Sequence, residues 1–283
     1  MTRIHELLAE GPTLSVELFP PKTPEGRDQM QRTLEALAPL ELSFVSMTYG
    51  AGGSTRDLTR DLVVELDQQS PMPVMPHLTC IGHTRAEVAA LVDDYAESGI
   101  ENLLALAGDP PADGSPVIGD FTFATELVEL ARTRASFGIG VAAFPEAHPR
   151  SPDPGSDRRH LAEKLSMADF GITQFFFDAD PYLRMVDELA ELGCEVPVLP
   201  GIMPLLNTIT IRRFAAMNGA AFPEELAARV DAASSDDEVL KVAVDAAVEL
   251  CERLIAAGAP GLHMYSLNRP YATLAIVEAL GLR

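Results

Sequence analysis

The chain has 283 residues, 47% of them hydrophobic, and a formal net charge of −21, with three lysines against eighteen arginines. Length and apolar content suit one large domain with a sizeable core, and the acidic balance excludes nucleic acid and anionic membrane surfaces as partners, since both need a cationic face. Cys80, Cys194 and Cys251 show neither pairing nor metal-ligand spacing, MTRIHELLAE lacks the apolar centre of a signal peptide, and no stretch is long enough to span a bilayer. These features predict a cytoplasmic protein.

In chain order, residues 13–20 (TLSVELFP) predict a first strand ending at Pro20-Pro21, with Glu17 between Val16 and Leu18. A carboxylate in a buried strand is costly unless paired or used. Apolar spacing predicts a helix from Arg27 to Ala38. Strand two, 43–49, contains Thr48 and runs into GAGGSTRD, where Gly50, Gly52 and Gly53 precede Ser54 and Thr55 as capping residues of a helix to about Gln69. A glycine-rich loop at a helix start suits an anion, and it equally suits a plain tight turn.

Strand three, 73–80, places His77 and Thr79 near its end, and a helix from Thr84 to Glu97 follows. Strand four is the apolar run Leu103–Ala107, stopped by Gly108-Asp109-Pro110-Pro111. Such a run suits a strand buried on both faces, which leaves the Asp109 carboxylate at its carboxyl end. After a helix from Phe121 to Arg134, strand five, 138–145, contains a loose G-x-G-x-x-A and ends at Phe144-Pro145. Glycines at the start of a strand with proline where a helix should begin do not make a dinucleotide fingerprint. The proline-rich exit carries Glu146 and His148, and Asp157 opens a helix bearing Lys164.

Strand six, 171–178, places Gln174 among aromatics and ends on Asp178, and a helix over 181–192 leads to strand seven, 196–204. The longest connection, Asn207 to Ala257, has helical patterns near 208–217 and 236–257, with SSDDE between them as a solvated acidic turn. Strand eight, 261–268, delivers Arg269, and a last helix closes at Leu280. Eight strands alternating with helices predict a closed parallel (β/α)8 barrel, a single domain over residues 1–283 with its site at the carboxyl ends of the strands.

That mouth would collect Glu17, Thr48, His77, Asp109, His148, Gln174 and Arg269. A metal hydrolase could use His77, Asp109 and His148, but no paired-histidine spacing supports a metal. A Schiff-base aldolase needs a lysine at a strand end, and Lys22, Lys164 and Lys241 are elsewhere. A redox or group-transfer enzyme with one semi-buried acid, Glu17, uses what is present.

VELFPPKTPEG, VSMTYGAGGSTRD, PHLTCIGHT, LALAGDPP, FPEAHP, ITQFFFD, PGIMP and PGLHMYSLNR resemble, in order and over nearly the whole chain, the signatures of the methylenetetrahydrofolate reductase family. The resemblance implies a (β/α)8 barrel reducing methylenetetrahydrofolate to methyltetrahydrofolate with electrons from NADH or NADPH, relayed by FAD in bacterial members. Glu17 matches the family's general acid, and burial suits it by raising a carboxyl pKa. Asp109 matches the carboxylate that holds the pterin and offsets the iminium charge, Gln174 a pterin contact, and Arg269 a contact to the substrate's tail. Thr48, His77, His148, Asp157 and Lys164 match flavin-contacting positions. The departures fall on the same side: Ala107 stands where relatives have Arg, Phe144 where many have Tyr, and KLSMADFG lacks the usual Ala-Gly-Ala turn. The flavin-side residues are therefore read as holding nicotinamide or flavin, with direct hydride transfer from the nicotinamide as the leading expectation. A flavin relay and a non-catalytic folate-binding relative are the alternatives.

Overall fold

The computed structural model of the protein describes residues 2–49, 56–109 and 118–282, the side chains of 56–58 excepted. The glycine-rich loop at 50–55 and the Pro110-Pro111 stop lie outside these residues. Eight strands close a barrel in sequence order, each parallel to the next, with the last paired back onto the first. They are β1 (Thr13–Leu18), β2 (Phe44–Met47), β3 (Val74–Thr79), β4 (Asn102–Leu106), β5 (Gly138–Ala143), β6 (Phe170–Phe175), β7 (Val198–Ile202) and β8 (Gly261–Tyr265). The expected barrel is thus present, with several strands ending two or three residues before the apolar run does.

Alternation along each strand divides the barrel into two cores. Phe44, Met75, Leu104, Phe170, Ile172 and Leu199 form the inner one. Val16, Leu18, Val45, Met47, Leu78, Leu103 and Val141 join the outer one, under the surrounding helices. Gly140 is what admits the Phe170 ring, because a Cβ there would lie 2.5 Å from it. The two glycines of the loose G-x-G thus lie inside β5, and the space they leave serves packing.

Around the barrel run α1 (Ile4–Glu10), α2 (Pro24–Leu37), α3 (Arg56–Gln69), α4 (Arg85–Glu97), α5 (Ala124–Arg134), α6 (Pro154–Met167) and α7 (Ala179–Glu191). They continue with α8 (Thr208–Asn218), α9 (Glu224–Asp231), α10 (Asp236–Ala256) and α11 (Tyr271–Ala279). Helix α1, which sequence patterning does not predict, closes the amino end of the barrel. Its Ile4 packs into the inner core, and the Ile4 N–H donates to Asn102 Oδ1 at 2.8 Å.

Helix starts also differ from expectation. Helix α6 begins at Pro154 with Asp153 as its cap, placing Asp157 inside the first turn instead of at the boundary. A capping carboxylate followed by proline at the first helical position is a strong start signal. SSDDE is no turn: Ser235 caps α10, and Asp236, Asp237 and Glu238 form its first turn, where carboxylates face the positive end of the helix dipole. The long connection holds the additional α9. Together with α8 it builds a second small core over the carboxyl ends of β6 to β8, around Phe175, Met203, Leu205, Ile211 and Val230.

Candidate functional site

Glu17 is the penultimate residue of β1, paired in register with Ser46 of β2 and Tyr265 of β8. Its neighbours Val16 and Leu18 turn into the outer core, so strand alternation sends the carboxylate inward. Burial pushes this carboxyl up to about 8. His77 Nε2 of β3 lies 3.6 Å from Glu17 Oε2, with only 7% and 9% of the two side chains exposed. Burial pushes the His77 imidazole down to about 3. At neutral pH the two therefore face each other as neutral acid and neutral base.

The surroundings hold the acid in place without charging it. Ser266 Oγ donates to the Glu17 carbonyl at 2.8 Å. Asn268 bonds both backbone groups of Phe19, accepting from its N–H and donating to its carbonyl, each at 2.9 Å. Leu267 and Asn268 adopt left-handed backbone, φ 52° and 55°, to bring that amide across. Tyr265 donates its hydroxyl to the Thr173 carbonyl at 2.7 Å. Gly201 clears space for the ring, since a Cβ there would meet it at 2.5 Å.

One layer deeper, His263 lies 2.8 Å from Ser15 Oγ and 3.4 Å from Ser46 Oγ. Burial, assisted by nearby His77, pushes it down to about 3. Sequence reading missed His263 and Tyr265. The signal was available in GLHMY, where residues two apart share one face of the strand that pairs with β1.

The β4–β5–α6 flank is built differently. Ala107 and Asp109 follow β4 around Gly108, whose φ of +91° and closeness to Ile81, 2.6 Å from a built Cβ, require glycine. Asp109 is exposed, and its charge is felt at His148. The Phe144 ring meets His148 edge-on at 4.5 Å. Ala147, between the two in sequence, has φ 83°, a backbone conformation that L residues seldom take.

Asp157 accepts from the His148 N–H at 3.0 Å and from Ser151 Oγ at 2.7 Å. Its other oxygen accepts from Arg158 at 2.8 Å. Arg158 also donates to Glu188 and to the carbonyls of Phe144 and Pro145. Lys164, on the last turn of α6, is pushed down to about 8 by burial, with the Asp157 charge opposing. Burial likewise lowers His148, helped by Arg150 and Lys164.

The structure thus brings Glu17 and His77 together, and separately Phe144, His148 and Asp157, with Lys164 coupled by charge. Thr48 is half-buried just past β2, its N–H donating to Leu18 O at 3.0 Å. Gln174 is half-buried in an irregular stretch of β6. Arg269 is exposed in the turn after β8. Asp178 caps α7 and pairs with Arg253, while Glu146 accepts from the Ala221 N–H at 3.1 Å.

Comparison with known proteins places the chain in a family. Residues 3–281 match the family model described as methylenetetrahydrofolate reductase. The 5,10-methylenetetrahydrofolate reductases of Salmonella typhimurium and Escherichia coli are each 36% identical over 273 residues, covering 95% of this chain and 91% of theirs. A probable NADH-dependent methylenetetrahydrofolate reductase of rice is 34% identical over 99% of this chain, which spans 50% of that longer protein. A Clostridium thermocellum protein described as binding two copies of 5-methyl-5,6,7,8-tetrahydrofolic acid superposes with a TM-score of 0.69 over 99% of this chain and 98% of its own. At 14% identity that likeness speaks for the fold alone. The match to the family model runs from α1 to the end of α11, and on that ground the chain belongs to the methylenetetrahydrofolate reductase family of oxidoreductases.

Proposed function

We propose that the chain reduces 5,10-methylenetetrahydrofolate to 5-methyltetrahydrofolate by direct hydride transfer from NADH or NADPH, with Glu17 as the general acid. The observation that carries this reading is the Glu17 carboxyl buried beside His77 near the carboxyl end of β1, where burial pushes it up to about 8. Opening the methylene bridge requires a proton on the departing nitrogen, and Glu17 supplies it. The bridge carbon becomes an iminium, which takes the hydride and its electron pair. Glu17 is left as a carboxylate and recovers a proton from water. Asp109 offsets the iminium charge, Gln174 bonds the pterin and Arg269 meets the anionic tail.

A flavin is a poor fit to the residues present. The position that the family fills with a cation beside the ring holds the methyl group of Ala107, and Phe144 offers no hydroxyl. Asp157 is already occupied by a backbone N–H, a serine and Arg158. The loss of one charge-assisted bond weakens binding about ten- to a hundredfold. Thr48, His148 and Lys164 are assigned to the nicotinamide cofactor, whose phosphates call for the lysine.

The test is purification without added cofactor, a visible spectrum, and an assay of NADH oxidation with methylenetetrahydrofolate. A colourless protein that turns over is expected. A yellow preparation with stoichiometric FAD, or turnover only after FAD is supplied, defeats direct transfer in favour of a flavin relay. Folate binding without turnover under either condition makes the chain a non-catalytic relative.

A further inference from the structure

Beside Glu17 one buried polar atom has no hydrogen-bond partner: His77 Nε2. Buried nitrogen is rarely left unpaired, so this one calls for a role. It lies 3.6 Å from Glu17 Oε2, just beyond hydrogen-bond length and within a side-chain adjustment of it. The other titratable groups facing the acid are committed elsewhere. Tyr265 donates its hydroxyl to the Thr173 carbonyl, and the two ring nitrogens of His263 face Ser15 and Ser46. Among the described residues no lysine or arginine is within ion-pair distance of Glu17. An ion pair here would require two charges in a dry pocket, whereas a neutral acid against a neutral imidazole requires none. The opposite directions in which burial moves the two groups agree with the neutral form.

We propose that the Glu17 O–H is directed onto His77 Nε2, so that the two side chains hold one proton between them and His77 is the positioning residue of the acid. The inference rests on the proposed role of Glu17, and it gives His77 a task other than the cofactor contact that the family resemblance implies. Accepting the O–H fixes which oxygen carries the proton and aims it until the departing nitrogen takes the imidazole's place. The proton then passes from Oε2 to that nitrogen, with no electron leaving the pair.

Nitrogen-15 NMR of the whole chain labelled at histidine tests this. The His77 nitrogens should keep a neutral pattern and show one step at the midpoint of Glu17, about pH 8, and that step should vanish in Glu17→Gln. Protonation of His77 at an ordinary imidazole midpoint of about 6.5, or no step at all, overturns the proposal.

Kinetics give a second reading. His77→Ala removes the acceptor and admits water beside the carboxylate, and both changes favour its charged form. The alkaline limit of turnover should fall by about one pH unit, with KM for the nicotinamide unchanged. A raised nicotinamide KM with that limit unmoved makes His77 a cofactor contact and overturns the proposal. Should Glu17→Gln turn over like the unmodified chain, the acid role itself fails, and the NMR step still reports separately on whether the pair exists.

Discussion

The two flanks of the barrel mouth use hydrogen bonds in opposite ways. On the β1–β3–β8 flank, Glu17 and His77 are buried and His77 Nε2 is unbonded, while Ser266 and Asn268 hold the backbone at Glu17 and Phe19, and Tyr265 is tied to the Thr173 carbonyl. On the β5–α6 flank, Asp157 and Arg158 are equally buried but fully bonded within the chain. Burial alone therefore does not mark chemistry. The difference between these two pairs is that His77 Nε2 still has a bond to offer, whereas Asp157 and Arg158 spend theirs on each other and on neighbouring groups of the chain.

This contrast predicts that substitution of Glu17 lowers rate and substitution of Arg158 lowers stability. The largest effect is expected for Glu17→Gln, which should lower turnover by about 10²–10⁴ while the circular dichroism spectrum stays unchanged. Turnover within a factor of two of the unmodified chain would erase the distinction between the flanks.

Arg158→Ala removes the direct ion-pair partner of the buried Asp157 carboxylate. Urea unfolding should show a loss of roughly 3–5 kcal/mol, because one partner of a buried pair is removed. Turnover per folded molecule should stay close to that of the unmodified chain. Full stability with lost activity would place the chemistry on the α6 flank after all.

The smallest effect sharpens the comparison through pH. The folded Glu17 carboxyl, at about 8, lies above its ordinary 4.5, so its contribution to stability is complete below pH 4.5 and is lost as pH rises through 8. His77 and His263 are depressed from 6.5 to about 3, so their contributions are complete above pH 6.5 and are lost as pH falls toward 3. Each group contributes at most about 1.4 kcal/mol per pH unit within its window. Between pH 4.5 and 6.5 two histidines oppose one acid, so the summed contribution should peak near pH 6.5. Melting temperatures from about pH 4 to about pH 9 check this, and in Glu17→Gln the alkaline decline should disappear while the acid decline remains.

The barrel was legible because parallel strands covered by helices must be apolar on both faces, and those runs stand out between Gly and Pro punctuation. Glu17 was legible as the exception inside such a run. The sequence pattern overextends strand ends, as at Phe144 and Pro145, because an apolar run continues past the ladder into a turn that Ala147 N–H closes onto the Phe144 carbonyl. Taking Asp157 as the boundary misplaces the start of α6, because Asp153 carries the cap and Pro154 opens the first turn. Helix α1, at seven residues, is too short for periodicity to reveal, and it is held by Asn102 and by Ile4 in the inner core. The closeness of His77 to Glu17 depends on registers across β1, β2 and β3, which no single segment encodes.

Inner-core side chains fill the barrel below Glu17 and α1 covers its amino end, so among the described residues the acid faces the carboxyl end of the strands. Whatever reacts above Glu17 must arrive and depart by the same door, so reactants queue. For a direct transfer, the nicotinamide and the folate have to occupy that opening together, and the one that seats deeper must enter first and leave last. Such traffic gives a compulsory order of addition and a dead-end complex at high concentration of the outer reactant, a kinetic signature set by the packed core beneath the acid.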